Sequence, residues 1–85
     1  MADRAQAEAL YQKGRAEMRV GGLKDAALRY LNEAIQADPT HADAYEARSN
    51  IYLSMDRIDE GLADMKMACD LVRQSGVSLR DNAIG

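Results

Sequence analysis

The chain has 85 residues, a net charge of −3 at pH 7, one cysteine, four tyrosines and neither tryptophan nor phenylalanine. That length predicts one domain with a modest core. No basic stripe is long enough to follow a phosphate backbone, no run approaches the ~20 apolar residues of a membrane span, and a lone cysteine excludes an internal disulfide. The start MADRAQAEAL lacks the apolar segment of a secretory leader. With the free thiol, this predicts a cytoplasmic protein without nucleic-acid or membrane partners.

Helix formers dominate and β-branched residues are few, so the expected class is all-α. The first helix is predicted over about residues 3–20, with Leu10, Tyr11, Gly14 and Met18 on one face, and is ended by Gly21 and Gly22. The second is predicted over about 24–37, with Ala27, Leu28, Leu31, Ala34 and Ile35 at helical spacing. Pro39, the only proline, stops it. Thr40, with Asp43 three residues on, reads as a capping box for a third helix over about 41–55. A turn this short makes the flanking helices antiparallel neighbours. Asp56, with Asp59 following, reads as the cap of a fourth helix that carries Ile58, Leu62, Met65, Ala68, Cys69, Leu71 and Val72 and closes at Ser75 and Gly76. The tail, 77–85, shows no period.

The helices come in two pairs that repeat. Asp25, Leu28 and Ala34 recur as Asp59, Leu62 and Ala68 at an offset of 34 residues, and Ala27 and Leu31 are answered there by Gly61 and Met65. In the first helices the better offset is 35, which sets Lys13, Gly14 and Leu23 against Arg48, Ser49 and Ile58 and places one extra residue near GGLKDA.

On these residues the chain resembles the tetratricopeptide repeat (TPR) family. The second copy carries the likeness: Tyr45, then Arg48-Ser49, then Tyr52, Gly61, Met65 and Ala68, with Pro39 where the family ends each repeat. Arg48 in place of leucine, Gly61 in place of alanine and the extra residue are departures. The resemblance implies four antiparallel helices in two hairpins, a fragment of an α-solenoid, with a domain over 1–76 (repeats at about 7–40 and 41–74) and the tail beyond it.

The resemblance also implies a non-catalytic protein-binding module, whose concave groove takes an extended peptide or a partner helix. By position, the first repeat would present Tyr11, Gln12, Arg15 and Arg19 to that groove, with Met18 a further apolar anchor beside Tyr11. The second would present Asp43, Glu46, Ala47, Asn50 and Ser54. The carboxylate clamp of chaperone-binding relatives is not matched, because its positions hold Tyr11, Arg15 and Ala47. Arg15 and Arg19 would still favour an acidic ligand.

No cofactor or enzymatic chemistry is expected. His41, the single histidine, has no second histidine or nearby cysteine to complete a metal site and reads as a solvated turn residue. Cys69 reads as core packing rather than a nucleophile. Met55 and Met65 fall on core stripes, whereas Met67 lies off the stripe on the last helix. The alternative reading is a self-association unit. Two repeats are fewer than a stable stack usually needs, so Met67, Leu71 and Val72, with Val77, Leu79 and Ile84 beyond them, would mark a homodimer interface.

Overall fold

The computed structural model describes residues 3–19 and 23–75. Among these the chain is all-helical, with no strand: α1 (Arg4–Arg19), α2 (Lys24–Ala37), α3 (Ala42–Ser54) and α4 (Ile58–Ser75). No helix among them is long and apolar enough to cross a membrane. Gly21, Gly22, Gly76 and the expected tail, with Val77, Leu79 and Ile84, lie outside the described residues. The helices pack in pairs, α1 with α2 and α3 with α4, and α2 with α3 joins the pairs.

Each junction has an identifiable cause. Asp3 begins α1, its Oδ1 accepting the Gln6 N–H at 3.0 Å, while its own N–H donates to the Ala37 carbonyl at 2.8 Å. One residue thus caps α1 and pins the far end of α2 against it, so the pair runs antiparallel. At the proline turn, Asp38 is buried and its Oδ1 accepts from both the N–H (3.0 Å) and the hydroxyl (2.6 Å) of Thr40. Thr40 is therefore spent on the turn and does not cap α3, contrary to expectation. The cap is His41, whose Nδ1 accepts the Ala44 N–H at 3.1 Å. Asp56 does not cap α4 either. It ends α3 with φ 66°, the left-handed conformation usually given to glycine. Its N–H donates to Leu53 O at 3.1 Å and that of Arg57 to Tyr52 O at 2.8 Å, the paired bonds of a Schellman motif.

The core belongs to three helices. Ala7 of α1, Ala27, Leu28, Leu31 and Ala34 of α2, and Ala44, Ala47 and Ile51 of α3 form one buried cluster. Its alanines let the helix backbones approach closely. At Gly14 a Cβ would lie 3.1 Å from Leu31 Cδ2, the side chain that fills the space between α1 and α2.

The fourth helix joins this body differently. Ser49, fully buried, donates its hydroxyl to the Gly61 carbonyl at 2.7 Å. A Cβ on Gly61 would lie 2.8 Å from Leu53 Cδ2 and 3.2 Å from Ser49 O, which accounts for glycine in place of alanine. Arg48 of α3 grips Asp64 of α4 through Nε (2.7 Å) and Nη2 (2.8 Å), and its Nη1 reaches Asn32 of α2 at 2.9 Å. Of the apolar residues expected to pack on α4, Ala68 is buried, but Leu62, Ile58 and Val72 are exposed. Cys69 is exposed as well, not core, because no described element covers the face it shares with Leu62.

Candidate functional site

Between α1 and α3 lies an open groove of 510 Å³ lined by Tyr11, Arg15, Met18 and Arg19 on one side and Glu46, Ala47 and Asn50 on the other. The spacing of the first set is helical: Arg15 follows Tyr11 by four residues, and Met18 and Arg19 follow Arg15 by three and four, so they share a face. Ala47 is almost fully buried and small, which keeps the bottom of the groove open. Arg15 stands over the Tyr11 ring at 5.7 Å, a cation–π contact. Partial burial raises the Tyr11 phenol above its ordinary pKa, with Arg15 pulling the other way, so at neutral pH it offers a hydrogen-bond donor. Among the described residues neither Arg15 nor Arg19 forms an ion pair. The groove therefore presents two guanidinium groups, a phenol, a methionine, the Asn50 amide and one carboxylate.

Three of the residues expected there lie elsewhere. Gln12 turns to Glu8, donating from Nε2 to Oε2 at 2.8 Å. Ser54 donates its hydroxyl to the Ile51 carbonyl at 2.7 Å, and its own carbonyl accepts from Lys24 Nζ at 3.3 Å. Asp43 borders a second hollow of 370 Å³ with Arg4, Glu8, Asp38, Thr40, His41 and Ala42.

His41 is not the solvated turn residue expected. Its side chain is only 10% exposed, its ring packs on Tyr11 at 4.9 Å between centroids, and its Nε2 meets Glu8 Oε1 at 2.9 Å. With Nδ1 accepting from Ala44, the neutral ring carries its proton on Nε2 and donates it to Glu8. Hydrogen bonds from Gln12 first and His41 second hold the Glu8 carboxyl below its ordinary pKa. The Tyr11–His41 contact thus stands between the two hollows and fixes α1 against the start of α3. Among the described residues no group of three or more His, Cys, Asp or Glu side chains is placed to hold a metal ion.

The Arg48–Asp64–Asn32 cluster was not foreseen. Its one sequence signal is an arginine at a position where the repeat pattern has leucine. Tyr45 and Tyr52 flank the guanidinium at 5.6 and 5.7 Å, and the bidentate hydrogen bond raises the Arg48 pKa further. The cluster ties α3 to α4 through the partly buried Arg48–Asp64 pair and to α2 through the exposed Asn32. Of the residues expected to associate, Met67 and Val72 are exposed and Leu71 is half-buried. No protein-family model, curated protein or solved structure matches the chain.

Proposed function

We propose that the chain is a two-repeat module of the tetratricopeptide type, non-catalytic, that binds an acidic peptide or the acidic face of a partner helix in the groove between α1 and α3. The observation that carries this reading is the pair of guanidinium groups, Arg15 and Arg19, without carboxylate partners among the described residues, beside the apolar surface of Tyr11, Met18 and Ala47. Arginine binds carboxylates through a rigid planar fork, and the neighbouring apolar surface strengthens that bond by excluding water. The hairpin pairs and the correspondence of Gly14 with Ser49, each small where two helices cross, support the repeat reading.

The test is capture of a partner from native extract by the immobilised chain, beside an Arg15→Glu/Arg19→Glu control. Both positions are exposed, so the control retains the fold. The reading expects a partner that the control loses. It also expects affinity to fall several-fold as salt shortens the screening length from ~30 Å at 0.01 M to ~8 Å at 0.15 M. Affinity that stays flat with salt removes the arginines from the reading.

A further inference from the structure

The exposed apolar stripe of α4 lies on a face the groove does not use. Ile58, Leu62, Met65, Cys69 and Val72 recur at alternating intervals of four and three residues, the spacing of a helix-pairing seam, and all but the half-buried Met65 are exposed. The equivalent face of α2 shows what such a stripe does in this fold. There Leu28, only 9% exposed, belongs to the cluster shared with α3, whereas its counterpart Leu62 is 58% exposed. Among the described residues α4 packs on α3 alone.

We propose that a second copy of the chain covers this stripe, α4 against α4, antiparallel about a two-fold axis at Met65. The pattern is self-complementary under that reversal. Ile58 falls against Val72 of the second copy, Leu62 against Cys69, and Met65 against itself. On the solvent flank, at about 100° and 1.5 Å per residue, Asp59 and the second copy's Arg73 share one side and come within about 3 Å of the same height, where Arg73 also has Asp70 of its own helix at 3.9 Å. The opposed helix dipoles add to this. Lys66 falls beside its own copy near the axis, and Asp70, 3.9 Å away on the same helix, offsets part of its charge. Met67 and Leu71 lie round the helix, on the far flank from Ile58, Leu62 and Cys69, and take no part in the seam.

One helix per partner gives a small interface, so dissociation is expected in the range of ~1–100 µM. Sedimentation of the full chain from about 1 µM to about 1 mM should carry the mass from 9.3 kDa toward twice that value. Leu62→Glu, at an exposed position, should keep the mass at 9.3 kDa while the circular dichroism of the helices is unchanged. Asp59→Arg or Arg73→Asp should each weaken association roughly 3- to 10-fold, and the double exchange Asp59→Arg/Arg73→Asp should restore it. A mass of 9.3 kDa at every concentration overturns the proposal and leaves the stripe to residues 76–85 or to another protein. Association indifferent to Leu62→Glu, or a double exchange no tighter than the single ones, overturns it equally.

Discussion

Replacing Arg48 by leucine, the residue the repeat pattern has there, should unfold the chain more readily than any surface change. The Arg48 side chain is 20% exposed and that of Asp64 9%. Leucine would fill the space but leave the Asp64 carboxylate with neither of its two charged hydrogen bonds. Breaking a buried pair from one side costs about 3–5 kcal/mol. The remaining exposure of Asp64 places this case near the low end, about 3 kcal/mol. A chain of this size has about 4–13 kcal/mol in total. The thermal midpoint should then fall by ~12–24 °C. Asp64→Ala should cost less, about 1–2 kcal/mol, because Arg48 keeps Asn32, two tyrosine rings and some water. Removing both charges with Arg48→Leu/Asp64→Ala should return stability to within about 1 kcal/mol of the parent, as exchange of buried pairs for apolar groups commonly does. Urea titrations followed by circular dichroism at neutral pH and low protein concentration measure all four chains. The reasoning fails if Arg48→Leu matches the parent, or if the double variant is no more stable than Arg48→Leu alone.

Asp56→Gly should stabilise the chain by about 0.5–1 kcal/mol in the same titration, since glycine meets φ 66° without strain; a loss of stability would contradict the Schellman reading. Ala34→Leu, at a fully buried position, should cost about 1–3 kcal/mol by overpacking, and an unchanged midpoint would mean that α2 does not pack as described. Asp38 has its pKa lowered, chiefly by the Thr40 hydroxyl. The stabilisation is therefore present above the unfolded value of about 4 and is lost as pH falls through the folded value. Asp38→Asn, which keeps an acceptor for Thr40 but no charge, should flatten part of the stability loss below about pH 4, and an identical acid limb would refute the assignment.

Helix positions are legible in the sequence because periodicity and Pro39 are local signals; the expected and observed spans of α2 coincide at Lys24–Ala37. Caps are less legible. Thr40 is a favoured cap residue, but Asp38 two positions earlier competes for it, and histidine rarely enters cap preferences although its Nδ1 can accept. Asp56 suits either end of a helix, and only the backbone angle separates the roles. Periodicity puts Leu62 and Cys69 on an apolar face without saying whether anything lies over it. The groove-lining face of α1 is visible as helical spacing, but its pairing with Glu46 and Asn50 depends on how the hairpins cross, and Arg48 reaches sixteen residues each way to partners no local pattern predicts.

The uneven joining of the helices has a consequence in time. α2 is held on both sides by packed alanine and leucine, whereas among the described residues α4 packs on α3 alone, through Ala68, the close approach at Gly61, the Ser49 hydroxyl and the Arg48 guanidinium. Opening the α3–α4 seam exposes little of the main cluster, so α4 can swing off while the other three helices stay closed. Its amide protons should trade with solvent through that partial opening, well ahead of those in α2, whose exchange requires the whole molecule to come apart.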